Sequence, residues 1–486
     1  MPMCRFNMLA VCMAAAFAAA HVAAGVPALV PMPREIDATG GECVLTRPPV
    51  IEVDGSVPAE GYRLSVTPDG VTIRHSDAAG LFYANKTLEQ LRSPGKAALP
   101  CVEIKDAPAF RWRGVHLDDV RHFFGKGTVK RILDEMARYK LNVFHWHLTD
   151  DQAWLLDIPG YPELVRQGKG MELGESVGPF RYTDNDIKEV LAYAAERHIT
   201  VVPEVEFPGH FAAARRAYPD FACPGGGRVM CIGNPEAVKF AERVLDRVCE
   251  LFPSEVVHIG GDECKREYWE KCPRCLALME REGMQNAGEL QQWLSRHLAE
   301  YLAAKGRRAI GWDEIFDSGA VLPSGAMGMC WRPADGTGVE GAGSGAGVAN
   351  AGHEVVMCPY SHCYFDYSQG LEEDPFDYFL LGKRTSTLEN VYSFDPLAGV
   401  VPEARRFVAG GQCNNWSERT LGLADLEWKL WPRALALAEV LWTYPDPHRR
   451  DFAQFASRAE EHRRRLLRDH VNCAGIANRK TERAAQ

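Results

Sequence analysis

Val257-His258-Ile259-Gly260-Gly261-Asp262-Glu263 decides how the rest of the chain is read. A short apolar run from Glu255 to Ile259 has strand character and stops at two glycines. Two adjacent carboxylates follow, and then charged helical sequence. Glycines at a strand end let the backbone turn tightly and come close to a ligand. On this reading they leave room for one. Carboxylates just past a strand end sit where an α/β barrel keeps its chemistry. The plainer explanation is a pair of solvated turn acids at a helix N-terminus, where Asp and Glu are favoured anyway. The other strands of the chain decide between the two.

Outward from this stretch, the sequence from Phe110 onward alternates strand and helix. Strands are expected over 112–118, 143–148, 200–206, 256–261, 308–313, 326–331, 354–358 and 407–416. Helices are expected over 128–140, 184–198, 235–251, 286–305 and 426–441. Eight strands with crossover helices point to an α/β chain built as a (β/α)8 TIM barrel, here over 108–445. The Gly/Ala-rich stretch 333–352 predicts a short or distorted sixth connection. A basic amphipathic helix over 452–467 belongs to a C-terminal helix and tail, 446–486. Before the barrel, 25–107 reads as a small α+β domain, with strands near 50–53, 62–66, 71–75 and 101–104 and a helix over 81–91.

Residues 1–24 carry one early positive charge, Arg5, an apolar run from Met8 to Ala20 and an Ala-rich exit. That pattern is expected of a secretory signal peptide, which places the mature protein in the periplasm or outside the cell. The run is too short to span a bilayer, and no later segment has that length. Net charge is −10 without a basic stripe, which argues against a nucleic-acid partner. Fifteen cysteines are many for an exported chain. Cys272-Pro-Arg-Cys275, with Cys264 nearby, is open between disulfide, metal knuckle and free thiols. Cys223 and Cys231 flank a Gly-rich loop and are candidates to bridge. No second CxxC accompanies the first, as a zinc site usually requires. Oligomeric state is not legible.

The strand ends carry the chemistry. They bear Arg113 to Arg121, Asp150-Asp151, Glu204 to His210, Asp262-Glu263, Trp312-Asp313-Glu314, Trp331, Tyr364 with Asp366, and Trp416 with Glu418. The strand interiors read as mainly apolar. Acids that clasp hydroxyls and tryptophans that stack on sugar faces suit a carbohydrate. Adjacent Asp262 and Glu263 diverge from a strand end, which is awkward for a nucleophile plus acid pair. It fits a substrate that supplies its own nucleophile.

The H-x-G-G-D-E run, with the WDE and NNWSE segments, resembles the glycoside hydrolase family 20 β-N-acetylhexosaminidases, over about 26–444. The resemblance implies a retaining exo-glycosidase releasing terminal β-linked GlcNAc, with GalNAc as an alternative, through an oxazolinium intermediate. Its partner is a glycan, and no metal or organic cofactor is expected. Glu263 then resembles the general acid and base. Asp262 resembles the residue that orients the 2-acetamido group. Tyr364 resembles the phenol on the acetamido carbonyl, although the residues alone do not single it out from Tyr360 or Tyr367. Trp312, Trp331 and Trp416 resemble the aromatic box. Arg113, Asp366 and Glu418 resemble the clamp on ring hydroxyls. His210 and one of Asp150 and Asp151 resemble the shell that tunes Glu263.

Two rival readings remain. His145 and His147 share a strand face and, with His258 and Asp262, suggest a barrel metallohydrolase. Both histidines lie within the strand rather than past its end, and a metal site leaves the aromatics unexplained. The other rival is a sugar-binding protein without turnover on the same scaffold. The intact Asp262-Glu263 pair argues against it.

Overall fold

The computed structural model describes residues 27–92, 97–166, 181–225, 227–319, 321–333, 344–370, 385–448 and 450–476. The expected leader (1–24), the loop 168–179 and most of the loop 368–387 lie outside the described residues.

Up to Ala107 the chain forms one compact unit. Its sheet runs in the order Glu35–Val44, Ala98–Asp106, Tyr62–Thr67, Gly70–His75, Val50–Val53. Alternation explains the middle strands: Tyr62, Leu64 and Val66 are buried, as are Val71, Ile73 and His75. The helix Ala78–Leu91 is capped by Asp77, whose carboxylate accepts from the Gly80 N–H at 2.7 Å. It buries Tyr83, Ala84, Leu88 and Leu91. The strand Glu35–Val44 was not legible because only Cys43 in it is fully buried. It lies at one edge of the sheet, pairing with Ala98–Asp106 alone, and its register shifts between Ala38 and Glu42.

From Pro108 a second unit forms the barrel. Its strands are β1 (Trp112–Asp118), β2 (Val143–His147), β3 (Thr200–Glu204), β4 (Val256–His258), β5 (Arg308–Trp312), β6 (Met327–Cys330), β7 (Glu354–Met357) and β8 (Val408–Asn415). All eight pairings are parallel, and β8 closes on β1. Two of the crossover helices start on clear capping signals. Thr183 and Asp186 form a capping box before Asp184–Ala195, and Asn234 caps Pro235–Leu251. The sixth connection contains only a six-residue helix, Gly345–Asn350, among the described residues.

Two expectations differ from the structure. The helix expected over 426–441 is two helices, Leu423–Leu430 and Arg433–Trp442, because Pro432 has no N–H to continue the first. The barrel interior is also not mainly apolar. His116, His145, His147, Glu204, His258, Gln412 and Asn414 are all buried there. Polar residues at alternate strand positions face inward together, and a sequence read strand by strand does not show it.

The C-terminal helix Phe452–Arg468 is fastened by a buried ion pair. Arg458 donates both terminal nitrogens to Glu439, at 2.7 Å each. Phe455 stacks on Tyr392 beside it, with ring centroids 4.3 Å apart. Removing one partner strands a buried charge, at a cost of about 3–5 kcal/mol. Arg458→Ala should therefore lower the unfolding free energy of the barrel, read from denaturant titration, by that amount, and a loss under about 1 kcal/mol would contradict this account.

Candidate active site

Four strand ends build the centre of the site. β4 ends at His258, and the chain then bends through Gly260 (φ +72°) and Gly261 (φ +111°). The expectation that these glycines make room for a ligand is not met. A Cβ on Gly260 would lie 2.0 Å from the Glu206 carboxylate, and one on Gly261 would lie 2.5 Å from Ile315. The glycines let the barrel's own side chains close under the turn. Glu263 follows at φ +49°, a conformation a side-chain-bearing residue rarely adopts.

That turn separates the two carboxylates. Asp262 is 9% exposed, while the Glu263 side chain is 64% exposed. His210 stands between them: its Nε2 is 3.3 Å from Asp262 Oδ2 and 3.6 Å from Glu263 Oε2. Its Nδ1 is 3.1 Å from Asp150 Oδ1. Asp151 accepts from the Ala212 N–H and from Arg228, both at 3.0 Å, and its Oδ2 lies 3.6 Å from the same His210 nitrogen. Of the two acids, Asp150 lies closer to His210.

Behind Asp150 the chain of contacts continues into the barrel. His147 Nε2 lies 2.8 Å from Asp150, and its Nδ1 lies 2.6 Å from Glu204. With a carboxylate on each ring nitrogen, His147 donates from both. Burial opposes its charge, but Glu204 and Asp150 raise its pKa to about 10. Burial likewise works against Glu204, yet the charged His147 holds it well below the usual carboxylate range. Two neighbouring histidines go the other way: burial takes His116 down to about 4 and His258 well below its usual value. Trp312 donates its indole N–H to Glu204 at 2.8 Å. His145, His147 and His258 thus converge on Glu204, whereas Asp262 faces His210. Of the set proposed for a metallohydrolase the three histidines do meet, around Glu204, and Asp262 is not part of that group.

His210 is held protonated. Burial disfavours its charge, but Asp150 and Asp262 outweigh burial and raise it well above the histidine range. That imidazolium in turn lowers Glu263. Burial raises Glu314 to about 7, reinforced by nearby Asp262, and raises Asp366 to about 7, reinforced by Glu418.

Arg113 was expected in this cluster and is not there. It is the second residue of β1, fully buried, and donates to the carbonyls of Lys140 and Phe110 at 2.8 Å each. The rule of strand C-terminal ends excludes it. The arginine at the end of β1 is Arg121, which lies 2.8 Å from Asp150, 3.3 Å from Asp118 and 3.7 Å from Glu418. Its guanidinium sits 5.0 Å over the Trp416 ring. Asp118 fixes it by accepting from the backbone N–H groups of Arg121 and Ser417, at 3.0 Å each. Arg121 lay inside the segment singled out by sequence, one helical turn past Asp118.

The aromatic residues do assemble. Trp416 packs on Trp312 at 5.7 Å and on Tyr364 at 6.3 Å, and Tyr364 stacks with Trp331 at 6.3 Å. Trp331 donates its indole N–H to Glu314 at 3.0 Å. Tyr360 and Tyr367 adjoin Tyr364, but Tyr364 is the ring shared by both tryptophans. Two carboxylate oxygens in this wall, Asp262 Oδ1 and Asp366 Oδ1, are buried without a hydrogen-bond partner.

A closed parallel barrel with paired acids and an aromatic wall at its strand ends is the architecture of a barrel glycosidase. Residues 110–445 match the catalytic domain of glycosyl hydrolase family 20, and residues 49–107 match that family's domain 2. The chain belongs to glycosyl hydrolase family 20. It is 38% identical over 436 residues to a β-hexosaminidase of Porphyromonas gingivalis, covering 84% of this chain and 54% of that protein. The chain thus spans about half the length of that relative. It is 32% identical to a β-hexosaminidase of Akkermansia muciniphila, covering 86% of this chain and 85% of the other. Among solved structures, it resembles an exo-β-N-acetylglucosaminidase of Vibrio harveyi in complex with N-acetylglucosamine. That likeness has a TM-score of 0.81 at 27% identity, over 93% of this chain and 80% of the other. An N-acetyl-β-hexosaminidase of Streptomyces plicatus gives 0.78 at 27% identity, over 92% and 96%.

The charge on His210 is open to direct measurement. Its ring resonances should show no titration between about pH 5 and 8, the window of an unperturbed histidine. Asp150→Asn removes the carboxylate that favours the charged form, so the ring should then titrate at lower pH. A wild-type ring titrating near the ordinary value of about 6.5 would contradict the assignment.

Proposed function

We propose that this protein is a retaining exo-β-N-acetylhexosaminidase acting on terminal β-linked GlcNAc, and on GalNAc, of oligosaccharides or glycoconjugates. The observation that carries the reading is Asp262 Oδ1, an acceptor buried against the aromatic wall with nothing in the chain to satisfy it. A buried carboxylate oxygen without a donor is costly, so the site is completed by a ligand N–H. The amide of a 2-acetamido group supplies one. Asp366 Oδ1, buried in the same way, suits a sugar hydroxyl. The N-acetylglucosamine bound by the Vibrio harveyi relative supports the same substrate class.

In this mechanism Asp262 holds the acetamido N–H, which aims the carbonyl oxygen at C1 and stabilises positive charge as it attacks. The C1–O glycosidic bond breaks, and Glu263 gives its proton to the departing oxygen. The product on the enzyme is an oxazolinium ion. Water then adds to C1 as the C1–O bond to the acetamido oxygen breaks and the acetamide re-forms, while Glu263 takes the water's proton, and the β configuration returns. Glu263 alternates between acid and base, which its environment suits. In the free protein it is exposed and lowered by His210. A bound sugar covers it, and desolvation then favours the protonated acid. The apolar N-terminal run supports action outside the cytosol.

Glu263→Gln should lower turnover of N-acetyl disaccharides by about 10²–10⁴-fold while largely sparing kcat/KM for aryl glycosides, whose leaving group departs without protonation. Near wild-type cleavage of disaccharides by this variant would remove Glu263 from the role. A thiazoline analogue of the oxazolinium should bind at least about 10²-fold tighter than the released sugar. Equal affinity for the two would count against an intermediate of that shape.

A further inference from the structure

Cys223, Cys231, Cys272 and Cys275 converge in the fold although 41 residues separate the inner two. All four are buried, and their sulfurs lie within 4.8 Å of one another. Cys231 is 3.6 Å from Cys272 and 3.8 Å from Cys275, and Cys223 is 3.7 Å from Cys275. Disulfides do not explain this arrangement. A disulfide brings one sulfur to about 2.05 Å of one partner, whereas Cys231 and Cys275 each sit near two others. Four sulfurs on a metal at about 2.3 Å, the zinc–thiolate distance, have edges of about 3.75 Å. The three separations match that tetrahedral edge. An all-sulfur tetrahedron selects zinc or iron, and zinc is the structural ion of such closed sites.

We propose that these four cysteines bind one structural zinc ion that staples the loop after β3 to the loop after β4. The first pair brackets a hairpin: Ala222 pairs with Met230, and the Cys231 N–H donates to the Phe221 carbonyl at 2.8 Å. The second pair opens the helix Pro273–Glu282, with Cys272 at its N-cap. The backbones already meet closely beside the sulfurs. A Cβ on Gly233 would fall 2.2 Å from the Arg274 backbone, and the Trp269 indole donates to the Met230 carbonyl at 2.9 Å. The hairpin is tied onward to the His210 segment, since the Met230 N–H donates to Pro208 at 2.8 Å and the Phe211 N–H donates to Arg228 at 3.0 Å. The second loop is the one that begins with Asp262 and Glu263. The ion therefore joins the two loops whose side chains meet at His210. It touches none of the reacting groups and acts as a positioning element.

Metal analysis of the full-length chain, purified in air without chelator, tests this directly. The expected result is about one zinc per chain, as a closed four-thiolate site takes. Alkylation of the native protein should spare these four thiols, and titration with a mercurial, which caps each thiolate as its bond to zinc breaks, should release the zinc as the four sulfurs are taken up. Cobalt exchanged into the wild type should give the thiolate charge-transfer bands of a tetrahedral sulfur site, a readout independent of activity. Cys272→Ser should lower zinc content at least tenfold. If that variant fails to fold, the wild-type metal content and cobalt spectrum still decide. Protein without zinc, with iron in its place, or with disulfides among these four cysteines would overturn the proposal.

Discussion

The site depends on one electrostatic constraint: charge placed inside a dry barrel must be balanced where it lies. Glu204 and Asp150 are fully buried carboxylates, and both are held ionised. His147 is clasped between them and carries the compensating proton. Arg121 balances Asp150 from the other side, and His210 extends the series to Asp262 and Glu263 at the mouth. Signs alternate along the whole row, so each member fixes the protonation of the next. The outermost acid inherits its environment from a glutamate at the end of β3.

This arrangement accounts for the unequal surroundings of two neighbouring residues. The glycine turn and the left-handed backbone at Glu263 point one carboxylate inward and the other toward solvent. In the proposed mechanism the Oδ1 of the inward one, buried without a hydrogen-bond partner, takes the substrate amide, and the outward one serves the leaving group. One histidine touches both acids, and it lowers Glu263. The proposed zinc lies behind the same two loops and would limit how far His210 drifts from its carboxylates.

Much of this was legible in the chain. Strand-like runs alternating with helical segments located all eight barrel strands, because strands buried on both sides have a strong sequence signature. Asp262, Glu263, Trp416 and Tyr364 were singled out by their place after strands and by resemblance. What was not legible has physical causes. Arg113 and Arg121 are the same residue type eight positions apart, and only the strand register shows which is at the mouth. The glycines of the turn serve Glu206 and Ile315, a packing relation between distant segments. The histidine network on Glu204 collects side chains from β1, β2 and β4, two of them from β2. The cysteine cluster joins a widely spaced pair to a CxxC, and no local spacing announces that. The edge strand Glu35–Val44 has almost no buried face and so no hydrophobic period.

The central claim is that the nucleophile belongs to the substrate and that Asp262 serves it. Progressive fluorination of the 2-acetamido methyl group weakens the carbonyl oxygen as a nucleophile while barely changing its size. Turnover of an aryl β-glycoside series carrying zero to three fluorines measures the consequence. A steep fall in kcat/KM with each fluorine, with the β-anomer released first, is the result this account predicts. A rate that ignores fluorination, or release of the α-anomer, would contradict it.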